Sequence, residues 1–466
     1  MKIISTILLS VISVLLLGQS EKMMTYKEYI SIVKENHPVM YKASLLDDMA
    51  RSNRRMARGG FDPKVEANWN HKSFDDKNYY SMLNSAVKIP TWYGIDLKAG
   101  YDRSNGDFLN ESDLIPTRGL WNAGISVPLG KGLVIDERRA ALQRADIFES
   151  VNEQEQTIMI NELLYEASIA YLDWQTAEMQ LSIADEGVAL ATIRLDGTRL
   201  SFINGDKPAV DTLESFISFQ DRQLDQQKAQ QHIDNAVLNI NNYLWIKGEV
   251  PLELEADARP EDMDIQMLSP ETNATIIVQE EWILQHPELL MYDFKIADIN
   301  IDQRLAREEI KPDLRVNYNP LLAVADDALF DQFNANDYKL GATFAYPILQ
   351  RKQRGKIQMN DIKIQDTEYN RSVKTQDLNI KLDTYNNNIN QTEAQYALLN
   401  ETADNYERLL TAENRKFSLG ESSIFLVNSR ESKYLDTRYK LVSAGQKLLF
   451  NRLTYLLFSA KLPEIL

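Results

Sequence analysis

Few side chains in this sequence have the types and spacings that chemistry needs. There are four histidines (His37, His71, His232 and His286) and no cysteine. That excludes disulfides, thiol nucleophiles, Cys-ligated zinc and a lipidated N-terminal cysteine, and leaves too few imidazoles for a His-rich metal centre. His37-Pro38 and His286-Pro287 place two of the histidines before a proline, as structural turn or packing residues rather than ligands. No Gly-x-Ser-x-Gly, His-Glu-x-x-His or phosphate-cradling glycine loop occurs. Gly130-Lys131-Gly132 closes an alternating segment and reads as a turn, and Asn110-Glu111-Ser112 is a glycosylation triplet of little weight. The residues point to no enzyme, no cofactor and no metal.

Composition narrows the class further. The chain has 51 basic and 68 acidic residues, a net charge of −17, which argues against a nucleic-acid partner because phosphate binding needs a basic face. Gly (18) and Pro (14) are scarce in 466 residues, where about 7% and 5% are usual. Compact domains need more turns than that, so the elements must be long. Lys2 precedes an uncharged apolar run, Ile3 to Leu17, and then Gly18-Gln19-Ser20. This is the pattern of a secretory signal peptide cleaved after Ser20, and the run is short for a membrane anchor. The rest of the chain is expected to be exported, and any membrane crossing must then use strands.

The sequence is written twice. Aligned at an offset of 249, residues 37–70 and 286–319 are identical at eight of 34 positions without a gap. His37-Pro38 meets His286-Pro287, Arg55, Ala57 and Arg58 meet Arg304, Ala306 and Arg307, and Pro63 meets Pro312. Pro128-Leu129 matches Pro347-Ile348, Phe202 and Gly205 match Phe417 and Gly420, and Tyr243-Leu244 matches Tyr455-Leu456. The halves, about 25–250 and 272–462, each read as helix, strands, long helix, turn and long helix. Thr25 with Glu28 is a capping box for a mostly helical segment to Arg58, which recurs from about Thr275 to Lys311.

Several segments alternate with period two. Leu314, Val316 and Tyr318 oppose Arg315, Asn317 and Asn319, and Val65, Ala67 and Trp69 oppose Lys64, Glu66, Asn68 and Asn70. The segments near 79–89, 93–103 and 119–129, and Leu340 to Tyr346, do the same. One face is apolar and one polar, as in a soluble sheet with a wet side or a membrane barrel with a wet lumen. Export, the lack of cysteine and aromatics near the strand ends favour the barrel. The first half holds more strand than the second. Its extra hairpin either joins the barrel or lies in an external loop. Helical signals fill the rest. Ile160, Leu163, Ala167, Ala170, Trp174, Ala177, Leu181, Ala184, Val188 and Ala191 step by three and four, a coiled-coil seam in an element read from Ile135 to Phe202.

At this point the chain resembles the TolC family of outer membrane efflux proteins. The resemblance covers nearly everything after the signal peptide. It rests on the doubled layout, the helix opening at Asn36-His37-Pro38, the strand end Gly-Ile-Ser-Val-Pro-Leu at 124–129, and the turn Phe-Ser-Leu-Gly-Glu-Ser-Ser at 417–423. It implies a mostly α protein with membrane β: a twofold repeat, a long coiled-coil α-helical barrel and a transmembrane β-barrel shared within a homotrimer. The expected division is signal peptide 1–20; helix 21–60, strands 61–132 and helical hairpin 133–250 in the first repeat; an acidic, proline-containing linker 251–271; then helix 272–311, strands 312–349 and helical hairpin 350–466. The implied role is an export duct in the outer membrane of a Gram-negative bacterium, with its helical part in the periplasm. The implied partners are outer membrane lipid, a periplasmic adaptor and an inner-membrane transporter of the RND (proton-driven) or ABC (ATP-driven) type. The alternatives weighed are a periplasmic adaptor, which should not repeat its layout twice, and a structural coiled-coil protein, which should lack apolar strand faces.

The family resemblance assigns the two interhelical tips to the tunnel mouth and adaptor-docking surface. Gly205 and Gly420 mark the turns. Family members often carry acidic residues past the second-half glycine, where this chain has Leu426 and Ser429, followed by Arg430 and Glu431. The first half has Asp211 and Glu214 at the same spacing, three apart on one helical face. The second-half gate is therefore expected to be uncharged, with Leu426 constricting by dewetting.

Overall fold

The computed structural model describes residues 23–247, 249–255, 257–266, 268, 283–323, 334 and 336–466. The expected export signal at 1–20 and the expected helix start near Thr275 lie outside the described residues. The chain forms two compact units. One comprises Met1–Ser44, Thr157–His286 and Gln376–Leu466, and the other Leu45–Gln156 and Pro287–Thr375.

Helix α1 (Tyr26–Asn36) starts from the anticipated capping box, with the Thr25 hydroxyl and the Glu28 carboxylate each accepting from the other's backbone N–H. It does not continue to Arg58. His37 leaves the helix with φ −67° and ψ 135°, because the residue before a proline is pushed out of the α region. Helix α2 (Pro38–Arg58) then restarts, and the His37 ring Nδ1 accepts from the Val39 N–H at 3.2 Å.

The helices are uninterrupted where proline is absent. Helix α3 (Glu137–Ile203) has 67 residues, on the order of 100 Å at ~1.5 Å per residue. After a tight turn comes α4 (Ala209–Asn241). Later in the chain come α5 (Pro287–Glu308), the 68-residue α6 (Arg351–Ser418), α7 (Ile424–Phe458) and the short α8 (Leu462–Ile465). Among the described residues no helix is long and apolar enough to cross a membrane.

The first unit has an aromatic core. Tyr171 contacts Tyr26 and Tyr29 at 5.3 Å between ring centres and Trp174 at 5.8 Å. Leu163, Ala167 and Ala177 of α3, Ile233 and Ile240 of α4, and Leu449 and Leu453 of α7 complete it. The alanine knobs of the seam (Ala167, Ala170, Ala177, Ala184 and Ala191) are all buried, so small side chains let helices approach closely. Two of its phenolic oxygens are hydrogen-bonded, whereas the buried Tyr29 hydroxyl has no partner among the described residues. Tyr26 bonds Ser168 at 2.7 Å, and Tyr171 donates to the Met24 carbonyl at 2.8 Å. The proline-containing segment after α4 is strapped onto this core. Glu261 accepts from the Tyr26 N–H at 2.8 Å, Gln175 donates to the Glu261 carbonyl at 3.0 Å, and Arg452 donates to the Ile265 carbonyl.

The second unit contains one antiparallel sheet of β1 (Lys64–Phe74), β2 (Lys77–Pro90), β3 (Asp96–Asn105), β4 (Leu120–Pro128), β5 (Asp313–Ala323) and β6 (Tyr338–Ala345). Its order is β6-β5-β4-β3-β2-β1, and its two edges do not meet within the chain. Register fixes the faces. Ile89, Leu97, Ile125, Tyr318 and Leu340 align across five strands on one face. On the other face lie Lys88 and Lys98, and Asp102 accepts from Asn84 at 2.8 Å and Asn122 at 2.9 Å. At the base, Asp136 accepts from the Arg139 N–H at 2.9 Å at the start of α3. Arg138 bridges to Asp96 at 2.9 Å, and Ile135, Ala140, Ile301 and Leu305 form a small apolar cluster.

The seam makes a stability prediction. Trp174 is fully buried in the first unit, so Trp174→Ala should cost about 3–5 kcal/mol, read as a large drop in helix melting temperature by circular dichroism. A loss near that of an exposed substitution, within about 0.5 kcal/mol, contradicts this core.

Candidate functional site: the helix-hairpin tips

Both tips end their long helix in the same way. At the first, Gly205 takes φ +80°, its N–H reaches the Phe202 carbonyl at 3.0 Å, and the Asp206 N–H reaches the Ser201 carbonyl at 2.9 Å. At the second, Gly420 takes φ +79°, its N–H reaches Phe417 at 3.1 Å, and the Glu421 N–H reaches Lys416 at 2.9 Å. This is the Schellman closure, which needs a left-handed residue that glycine supplies without a Cβ penalty. It accounts for the matched Phe-x-x-Gly spacing in the two halves. Pro208 precedes α4, whereas Ser423 caps α7 by accepting from the Leu426 N–H at 3.3 Å. Lys207 lies 3.7 Å above the Phe417 ring and joins the two tips.

The structure distributes the sequence-predicted residues between surface and interior. Gly205 and Gly420 are exposed, Leu426 is 38% exposed on the first turn of α7, and Asp211 is half-buried on the first turn of α4. Arg430 is part-exposed and 3.7 Å from Glu413, which also accepts from Ser422. Glu214 is turned to the second hairpin, accepting from Asn428 at 3.2 Å.

Glu431 is not at the surface. It is 1% exposed and paired with Arg194, whose side chain is 8% exposed. Arg194 also donates to Asn428 at 2.6 Å, and Arg222 stands 3.9 Å from the Glu431 carboxylate. Glu431 sits in the seam Ile424, Val427, Glu431, Tyr434, all buried. A carboxylate at a seam position has to meet a cation, so it ties α7 to α3 and α4 rather than facing a partner. Burial, and secondarily the neighbouring Arg222, bring the Arg194 guanidinium down to about 10, which leaves it charged at neutral pH.

Exposed apolar side chains complete the tips. Ile203, Val210, Leu419 and Phe425, within the two expected tip segments, and Leu213 just beyond the first are large apolar side chains left exposed around both turns. All lie within eight residues of a turn glycine. Arg194 and Asn428 were unmarked by the sequence reading. Their signal was polar type at seam spacing. Among the described residues no group of acidic or histidine side chains is arranged to hold a metal.

The buried pair can be tested by a cycle. Glu431→Leu strands Arg194 in the interior and should cost about 3–5 kcal/mol, whereas Arg194→Leu with Glu431→Leu should recover most of that loss. Chemical denaturation of the three variants measures both. A single substitution as mild as an exposed ion pair, under about 1 kcal/mol, contradicts the burial.

No family model matches the chain, and no curated protein matches its sequence. Solved structures match its fold. The outer-membrane channel OprN is 13% identical, with 93% of this chain and 89% of that chain covered at a TM-score of 0.67. The Neisseria gonorrhoeae MtrE outer membrane channel in its open state is 13% identical, covering 93% and 88% at 0.63. The Campylobacter jejuni CmeC outer membrane channel is 11% identical, covering 93% and 85% at 0.63. At these identities the similarity is one of fold, and the chain has the fold of the TolC-family outer membrane efflux channels, as its sequence resemblance implied.

Proposed function

We propose that this protein is the outer membrane channel of a tripartite efflux or secretion system, a duct without enzymatic activity that passes cargo from an inner-membrane pump through the outer membrane. One observation carries the reading: a two-faced sheet, open at both edges, in a chain whose helices run to 67 and 68 residues. A sheet with an apolar face suits lipid, and lipid tolerates no unpaired strand edge. The chain cannot close its own sheet, so copies must close it together. The similarity to solved outer membrane channels supports the same reading.

In this reading three copies share one β-barrel and one helical tunnel, and residues 1–20 direct export. The chain is a twofold repeat, with helix 21–60, strands 61–132 and hairpin 133–250 answered by helix 272–311, strands 312–349 and hairpin 350–466 across the linker 251–271. The tips around Gly205 and Gly420 form the periplasmic mouth. The exposed apolar residues Ile203, Leu213, Leu419 and Phe425, with Asp211 and Arg430, offer the docking surface for a periplasmic adaptor. An RND or ABC transporter of the inner membrane completes the assembly.

Detergent extracts of the membrane fraction should yield a trimer with discrete single-channel steps in planar bilayers. A soluble periplasmic monomer overturns the duct. Leu426 sits past the second tip where a constriction by dewetting would act. Leu426→Ser should therefore raise single-channel conductance, and an unchanged conductance removes Leu426 from the gate.

A further inference from the structure

The two halves differ most in what lies between their matched strands. At the offset of 249, Pro63, Asn68 and Asn70 at β1 meet Pro312, Asn317 and Asn319 at β5. Pro128-Leu129 at the end of β4 meets Pro347-Ile348 just past β6. Strand β1 is therefore the counterpart of β5, and β4 of β6. Strands β2 and β3 are the addition, with no counterpart among the described residues of the second half. Both are full members of the sheet, β2 paired to β1 and β3, and β3 paired to β4.

What the addition brings is charge. Lys88 of β2 stands directly opposite Lys64 of β1 on one side and Lys98 of β3 on the other. Three adjacent strands thus present three lysines in one row, and the pleat puts all three on the polar face. The row runs on through Gly124 of β4, beside which the Asn319 side chain lies, to Lys339 of β6, opposite Asn319. The repeat does not require this charge. The position that matches Lys64 is Asp313, and the one that matches Glu66 is Arg315.

Like charges directly opposite one another destabilise a sheet, and the carboxylates on this face do little to relieve them. Glu66 reaches Lys88 at 2.5 Å. Asp96 is held by Arg138 at 2.9 Å and Arg315 at 3.3 Å, and Asp102 accepts from Asn84 and Asn122. Among the described residues no carboxylate lies within ion-pair distance of Lys64, Lys98 or Lys339. The next row along the strands is Glu66, Ala86, Gly100 and Asn122. Ala86 and Gly100 have almost no side chain, so the surface beside Lys88 and Lys98 is open. A chain with a net charge of −17 thus keeps a local surplus of positive charge on one wet face.

We infer that this lysine row is an anion-binding strip on the wall of the pore, and that it favours anionic solutes in the outer membrane section of the duct. The inference rests on the duct proposed above, in which the polar face lines the lumen. One ammonium in water attracts an anion only weakly, but three side by side act together on a multivalent anion. Salt must weaken the attraction, because exposed charges are screened over ~10 Å at 0.1 M ionic strength.

Inorganic tripolyphosphate is the probe. It is added to each side in turn of a planar phosphatidylcholine bilayer holding single channels, where no anionic lipid competes. It should block the current at low KCl, and the block should fade as KCl is raised. The triple variant Lys64→Gln, Lys88→Gln, Lys98→Gln should need on the order of tenfold more tripolyphosphate for half-block. Its reversal potential in a KCl gradient should also move toward potassium. Lys98→Gln alone should give an intermediate change. Replacing the same three lysines by arginine keeps the charge and should leave the block unchanged. Normal current steps with no block, or with equal block in all variants, overturn the strip and leave the duct standing. A purified protein that gives no current steps sinks the duct and the strip together.

Discussion

A strand edge carries a row of N–H and C=O groups, and hydrocarbon offers them no partner. In the proposed channel that constraint governs this chain. Among the described residues its sheet has one apolar face and two edges that pair with no further strand. In that channel the face meets lipid and the edges meet more of the same sheet, which places the exposed Val65, Trp69, Leu340 and Phe344 in its wall.

The helices answer a different demand with the same economy. Alanine at five of the ten knobs of the α3 seam lowers the gain from each buried side chain but brings backbones close, over dozens of residues. Aromatic groups concentrate around Tyr171 and Trp174, where α1 and α3 pack together. Toward the tips, packing gives way to the Arg194–Glu431 pair and its Asn428 and Arg222 neighbours. Buried charges are costly to leave alone, so such a pair fixes the register of the helices that carry it more than it stabilises them. The tips themselves are held by backbone closures at Gly205 and Gly420 and keep their large apolar side chains outside.

Much of the architecture was legible because it follows local periodicity. Period two picked out all six strands, and the absence of proline picked out the long helices, whose observed limits of Glu137 and Ile203 lie within two residues of the expected ones. The break at His37 agrees with the reading of His37-Pro38 as a turn, since the proline excludes helix at the residue before it. The tips were legible only in part. A glycine at a turn announces itself by backbone geometry. The fate of a carboxylate does not, because Glu431 and Glu421 look alike until the partner helices are in place.

By itself the sequence determined which residues form strands and helices, where both long helices turn, and that no thiol chemistry is available, because these depend on residue type and on spacing along one segment. The tertiary structure decided three other things: that Glu431 is buried against Arg194, that the linker residues near Glu261 are strapped to the first unit, and that β2–β3 continues the sheet instead of leaving it. Each depends on segments far apart in the chain arriving side by side. Glu431 and Arg194 are 237 residues apart, and no pattern within either segment encodes the other.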